Sequence, residues 1–185
     1  ADPNLSPVID YDNVVIITGR SRLNNPISNY ASDGRVNELT NDPHSGLYST
    51  KRVDLKQPAT SIKVLVAAYR HETADFRVLY QLFRPDSAEE EQKWELFPGW
   101  DNMVDTDGDG FGDVGIGGTH LVGGIRNNGK PDAKVVASSE GEFKEYRFSA
   151  DGLDEFTGFK IKIVMSGTNE AFAPKFKDLR VIALA

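Results

Sequence analysis

Apolar residues recur at every second position in several short stretches of this chain, and this alternation limits the possible folds more than any other feature. The stretch Ser61–Tyr69 puts four apolar side chains on one face, namely Ile62, Val64, Val66 and Ala68. A period of two is that of a β-strand, because successive side chains point to opposite faces of a sheet. No stretch of more than ten residues has a convincing helical period. The pattern therefore predicts an all-β protein.

Further strands are predicted by the same alternation or by short β-branched runs. They lie at Tyr11–Thr18, Leu47–Leu55, Phe76–Arg84, Lys93–Phe97, Glu142–Ser149, Gly158–Met165 and Phe176–Leu184. In Gly158–Met165 we expect Phe159, Ile161, Ile163 and Met165 to face the core and Lys160 and Lys162 to face solvent. Asp151–Glu155 is predicted to be a 3₁₀ turn and Gly115–Gly129 a loop. Roughly eight strands with long connections predict an antiparallel β-sandwich that is jelly-roll-like.

The length and composition indicate one soluble domain. The 185 residues suit a single domain, residues 1–185, with a real core. The first residues, ADPNLSP, show neither a starting Met nor a signal pattern, so we expect a fragment of a larger chain. No apolar run approaches the ~18 residues that a membrane span needs. The absence of cysteine excludes disulfides and thiolate metal sites.

Negative charge is concentrated in one segment. Residues 85–113 carry ten acidic side chains and one lysine, a balance of −9, whereas the rest carries 20 basic and 18 acidic residues, a balance of +2. Phosphate binding relies on clustered lysine and arginine. The sequence therefore argues against nucleic acid as a partner and favours a bound cation.

The acidic segment ends in the stretch DTDGDGFGD, which runs from Asp105 to Asp113. Its four aspartates repel one another, and its three glycines add chain entropy that folding must remove. A hard divalent cation resolves both problems, because it neutralises the carboxylates and fixes the chain around itself. Oxygen ligands at flexible spacing suit Ca²⁺ better than Mg²⁺. The predicted ligands are the side chains of Asp105, Asp107, Asp109 and Asp113 and the carbonyl of Phe111.

The stretch resembles the DxDxDGxxD calcium loops of thrombospondin type 3 repeats, dockerins and many extracellular β-proteins. Its sixth position is Gly110, where such a loop turns sharply, but its twelfth is Ile116 instead of the bidentate Glu of a full EF-hand. The missing ligand must come from water or from elsewhere in the chain, with Asp101 nearer than Asp132. The alternative is a solvated acidic turn without a metal. We expect a structural ion, since no His, Lys or Glu is placed to act on a bound water.

Two tryptophans precede this stretch and suggest a second hypothesis. Trp94 and Trp100 flank Phe97–Gly99, and aromatic faces offer apolar area to sugar rings. They could form the stacking platform of a carbohydrate-binding, lectin-like module, or they could pack in the core under the loop. No nucleophile elbow, phosphate loop or dinucleotide fingerprint is present. We therefore predict no catalytic residues and no enzyme, although paired carboxylates meeting across strands would revive a glycosidase.

Several segments resemble one family. KRVDLKQPATSIKVLVAAYRHETADFRVLYQLFRPDS, ELFPGWDN, DTDGDGFGD and FTGFKIKIVMSGTNEAFAPKFKDLRVIALA are similar to a domain of large virion proteins from contractile-tailed phages of marine cyanobacteria. Such proteins are described as tail, baseplate or fibre components. The resemblance implies a non-enzymatic structural or host-attachment domain, located in a virion or outside the cell. The implied partners are other virion subunits, further copies of the chain, or a cell-surface glycan.

Overall fold

A computed structural model describes residues 23–24, 46–71, 73–86, 93–99, 103–104, 114–115, 121–122, 125–126, 129–136 and 143–185. Within these ranges there are thirteen strands. They are β1 Leu47–Ser49, β2 Val53–Ala59, β3 Ser61–Tyr69, β4 Ala74–Phe83, β5 Glu95–Leu96, β6 Met103–Val104, β7 Val114–Gly115, β8 Leu121–Val122, β9 Ile125–Arg126, β10 Ala133–Val136, β11 Lys144–Ala150, β12 Phe156–Gly167 and β13 Lys175–Leu184. One short 3₁₀ helix, Glu170–Phe172, joins the last two strands. The predicted all-β class is confirmed.

The strands form two antiparallel sheets and one separate hairpin. The first sheet has the order β1-β12-β4-β5, with β2 paired to the same strand β12, and the second has the order β13-β3-β11-β10-β7-β6. The long β4–β12 ladder, from Ala74↔Gly167 to Phe83↔Gly158, is the backbone of the first sheet. Consecutive strands change sheets at β2–β3–β4 and again at β11–β12–β13. The two sheets are therefore linked by short corners.

Aromatic and branched side chains fill the space between the sheets. From the first sheet come Phe76, Val78, Tyr80, Ile161 and Ile163, and from the second come Ile62, Val64, Val66, Tyr146 and Phe148. Phe76 lies edge-on to Tyr146, with ring centroids 5.2 Å apart, so the contact crosses from β4 to β11. The four apolar residues of β3 that the alternation places on one face all lie in this core. The arrangement is sandwich-like.

The prediction of one strand over Leu47–Leu55 is wrong, because this segment is split into β1 and β2. At the break, the backbone N–H of Ile161 donates to Thr50 Oγ1 at 2.9 Å. A side-chain hydroxyl therefore takes the place of a ladder carbonyl, and the regular pairing resumes only at Val53. Pro58 lies inside β2, where an edge strand tolerates the missing N–H.

The glycine-rich region also differs from its prediction as a loop. The backbone contains the paired strands β8 and β9, with Val122 opposite Ile125. Two residues, Gly123 and Gly124, separate them, and a Gly–Gly pair between β-branched residues favours a two-residue hairpin turn. The predicted 3₁₀ turn at Asp151–Glu155 is likewise not formed, and 3₁₀ structure occurs at Glu170–Phe172 instead.

One asparagine fastens an early part of the chain to the end of β12. The buried side chain of Asn24 donates through Nδ2 to the carbonyls of Gly46, at 3.1 Å, and Met165, at 2.8 Å. Its backbone bonds the same strand through Met165 and Gly167. Asn24 and Gly46, which are 22 residues apart in sequence, are thus held together, whereas the predicted strand Tyr11–Thr18 lies outside the described residues.

Candidate functional site

The aspartate-rich stretch is the connection between two paired strands. β6 and β7 pair antiparallel, with Val104 opposite Val114 and Met103 opposite Gly115. Asp105 therefore follows directly on one strand, and Asp113 comes just before the other. Asp105–Asp113 themselves, with all the predicted calcium ligands and the extra candidate Asp101, lie outside the described residues. The backbone pairing brings Val104 and Val114, the residues on either side of the stretch, together at the edge of the second sheet.

The strands beside this hairpin fix where the edge lies. β7 pairs with β10 through Val114↔Ala133, and β10 pairs with β11 along four residues. The aspartate-rich connection therefore joins two strands at one edge of the second sheet. Towards the other edge of that sheet, β11 and β3 contribute side chains to the core. Among the described residues, no group of three or more His, Asp or Glu side chains is arranged to hold a metal ion. The calcium site stays a prediction that rests on the aspartate spacing.

Trp94, the first residue of the predicted stacking pair, lies under the protein surface. Only 4% of it is exposed, and it packs with Leu79, Leu96 and Val164 on the outer side of the first sheet. The ammonium of Lys162 lies 4.7 Å from the centre of its ring. A sugar could stack on Trp94 only if these neighbours moved away. Trp100 lies outside the described residues, so the stacking platform as a whole stays a prediction.

Lys162 lies on the outward face of β12, as predicted, but this part of the outward face is covered. Its side chain does point away from the core, but only 2% of the residue is exposed. The reason is that Trp94 and Leu96 cover this side of the sheet, and the aromatic ring accepts the lysine stem and its charge together. Alternation along a strand identifies the two faces, but it does not say whether a second layer covers the outer one.

A buried tyrosine of β4 lies on the other, core-facing side of this part of the sheet. The Tyr80 hydroxyl donates to Glu95 Oε2 at 3.0 Å, and Tyr80 and Glu95 are opposite each other in the β4–β5 ladder. Burial, and then the charge of Glu95, raises the pKa of Tyr80 far above its ordinary value of 10.0. The glutamate accepts a hydrogen bond only from the neutral phenol. The pair therefore stabilises the β4–β5 contact as long as Tyr80 keeps its proton.

We expect this pair to make the protein sensitive to alkali. Because the folded pKa is raised, the contribution of Tyr80 to stability is complete below pH 10 and is lost as the pH rises from there towards the folded pKa. Urea unfolding between pH 8 and 11 is expected to show a falling free energy of unfolding, and Tyr80→Phe should flatten this fall. An equally steep fall in the variant would contradict the assignment. Tyr48, half exposed on β1, provides the matched control as Tyr48→Phe.

The corner between β3 and β4 carries a group of charged and polar contacts. Asp75 binds both Arg70, at 3.2 Å, and Arg77. His71 Nδ1 accepts from the backbone N–H of Thr73 at 3.2 Å, and its ring stacks on Phe172 with centroids 4.1 Å apart. These contacts join the corner to the 3₁₀ helix before β13. Among the described residues of this corner, no second carboxylate faces Asp75.

Comparisons with known proteins give no match. No family model matches the chain, and neither a curated protein nor a solved structure matches it. In the part of the chain that the structure describes, no helix has the length and apolar character needed to cross a membrane. The resemblance to phage virion proteins therefore stays a prediction from the sequence segments that carry it.

Proposed function

We propose that this chain is a non-enzymatic, calcium-stabilised structural or attachment domain of a phage virion protein. The observation that carries the proposal is the β6–β7 pairing, which closes the aspartate-rich stretch between Val104 and Val114. The stretch carries four carboxylates within nine residues of sequence, and their repulsion favours a bound cation. The virion part of the proposal is supported by the sequence resemblance.

The strand order supports the finer proposal of a jelly roll. A jelly roll is a long two-stranded ribbon wound into two sheets, so that early strands pair with late ones. Here β2 pairs with β12 and β3 pairs with β11, which are successive pairs of such a ribbon. Two departures are present, because β5 lies beside β4 and β13 adds an outer strand next to β3. We propose a jelly roll with these two modifications.

In this proposal the bound ion stabilises the β6–β7 edge of the second sheet. β6 and β7 have two residues each, and so short a pair contributes little stability by itself. A cation held between Asp105 and Asp113 would tie the two strands together at the point where they separate. Phe111 would contribute its carbonyl and Gly110 the sharp turn. With no flanking helices to move, the bound ion would act as a clamp instead of a switch.

Calcium is expected to raise the thermal stability of the domain. At a free concentration about 100 times Kd, binding to the folded state alone adds about 2.7 kcal/mol to the free energy of unfolding. For a chain of this size that corresponds to a Tm higher by about 5–10 °C. Calorimetric melting in Ca²⁺ and in EDTA measures the shift. An identical Tm in both would remove the metal from the proposal.

Two double variants separate the site from general charge effects. Asp107→Asn with Asp109→Asn removes two predicted ligands and should abolish the calcium-dependent shift. Asp86→Asn with Asp151→Asn removes two exposed carboxylates elsewhere and should leave the shift intact. Equal loss in both variants would show that calcium acts by screening the charge of the whole chain.

A further inference from the structure

The outer side of β3, β11 and β13 in the second sheet is positively charged, although the chain as a whole carries −7. Strand register places five cationic side chains there on β3, β11 and β13, which we call the basic face: Lys63, Arg147, Lys175, Lys177 and Arg180. Glu145 is on the same side, and Asp178 lies exposed at the bulge of β13. Five positive and two negative charges leave a local balance of +3.

The basic face is open to solvent and spans three strands. None of its five cations is buried, and Arg147, Lys175 and Arg180 are exposed. The short side chains of Leu65 and Ala67 on β3 lie between the charged residues of β11 and those of β13. Small molecules are usually bound in concave sites. An exposed charged surface that extends over three strands fits an extended polymer better.

The cations differ in how far they are already neutralised. Arg180 forms an ion pair with Glu145, so it contributes little net charge to a ligand. Lys63 and Arg147 form no ion pair within the described ranges. They lie on β3 and β11, on the same side of the sheet as Leu65. These two side chains can therefore meet an anionic group without breaking an existing contact.

The aromatic residues of this surface are already covered by lysines. The ammonium of Lys175 lies 5.6 Å from the ring centre of Tyr69, and that of Lys177 lies 4.5 Å from that of Phe143. Single-stranded nucleic acid is bound largely by stacking bases on open rings. Duplex DNA is read by a helix or a two-stranded ribbon that enters the major groove. The basic face is instead the side of three adjacent strands in one sheet. Both features disfavour nucleic acid as the ligand.

A protein partner would need apolar anchors near the middle of the contact. The exposed apolar residues of this side, Ile182 and Leu184, lie at its margin on the last strand. We propose that the basic face binds an anionic polysaccharide, one with sulfate or carboxylate groups, by charge pairing along β3. The cations are on strands other than β6 and β7, which flank the predicted calcium ligands. The proposals of a calcium site and of a polysaccharide site can therefore fail separately.

Binding to heparin, as a sulfated probe, and to polygalacturonate, as a carboxylated probe, tests the proposal, with dextran as the neutral control. Isothermal titration calorimetry in EDTA and in Ca²⁺ shows whether polyanion binding depends on the proposed metal site. We expect binding of at least one polyanion and none of dextran. Since the contacts are ionic, Kd should weaken on the order of 50-fold between 50 and 200 mM NaCl.

A matched pair of variants locates the site. Lys63→Gln with Arg147→Gln should weaken polyanion binding about tenfold at 50 mM NaCl. Lys51→Gln with Lys56→Gln removes two exposed positive charges, one just before β2 and one within β2 of the first sheet. This control should change Kd less than twofold. Equal weakening in both variants, or no polyanion binding by the unmodified chain, would overturn the proposal.

Two other outcomes would assign the basic face differently. Tighter binding of single-stranded or duplex DNA than of heparin would make nucleic acid the ligand. Oligomers seen by light scattering at low salt, and lost in the Lys63→Gln, Arg147→Gln variant, would make the face an interface between copies of the chain. Either result would contradict a polysaccharide ligand.

Discussion

Phe148→Ala is expected to lower the free energy of unfolding by about 3–5 kcal/mol, the range for removing a buried aromatic ring. Phe148 is fully buried on β11 and faces the first sheet across the core. Its ring centroid lies 6.1 Å from that of Phe76 and 5.9 Å from that of Phe97. The substitution therefore removes contacts to β4 and to the residue that follows β5, and it leaves a cavity that strands cannot easily close.

Urea unfolding monitored by tryptophan fluorescence measures this loss. Phe172→Ala is the matched control, because the same ring is removed from a residue that is 44% exposed and whose main contact is the stack on His71. We expect the control to cost less than about 1.5 kcal/mol. Similar losses in the two variants would mean that Phe148 does not hold the sheets together.

The part of the fold that the sequence predicts best is the part with one covered face. β3 begins and ends at the predicted residues, Ser61 and Tyr69, because its alternation of apolar and mixed residues is uninterrupted. β13 is similarly close to its prediction. Such strands are determined locally, since each side chain's position follows from the pleat alone. The prediction of an all-β class needed only these strands.

Features that depend on contacts between distant segments could not be predicted in this way. The cover over Lys162 is provided by Trp94, and the break before β2 is made by Thr50 meeting Ile161. Neither partner is near in sequence. The hairpin of β8 and β9 is a different case, because the Gly–Gly pair at 123–124 was a local signal that the high glycine content obscured.

The two candidate sites also differ in whether they depend on local sequence or on contacts between distant segments. The calcium ligands are predicted from a single continuous stretch, and the strands on either side of it turn out to be paired. The basic face, by contrast, is assembled from three strands that are up to about 120 residues apart in sequence. In the sequence these cations are only part of the balance of +2 that the residues outside 85–113 carry. Only the register that aligns Arg147 and Arg180 on either side of Leu65 reveals them.

Gly129→Ala is expected to be the most damaging single-methyl change, at about 2–5 kcal/mol. The residue has a φ of +68°, a conformation that costs a residue with a Cβ about 1–2 kcal/mol. A Cβ there would also lie 2.6 Å from Leu96 Cδ2 and 3.1 Å from the carbonyl oxygen of Val78, and relieving such overlap typically costs about 1–3 kcal/mol more. The backbone cannot move away freely, because Gly129 bonds both Val78 and Phe97.

Gly152→Ala separates the two contributions. Gly152 has nearly the same φ, +67°, but a Cβ there would have nothing within 4 Å. This control should therefore lose only the conformational part, about 1–2 kcal/mol, and the difference between the two variants measures the overlap at β4 and β5. Equal losses would mean that Leu96 and Val78 yield without cost. A larger loss at Gly129 would show that the β4–β5 edge, which holds Tyr80, Glu95 and the cover over Lys162, is rigidly packed.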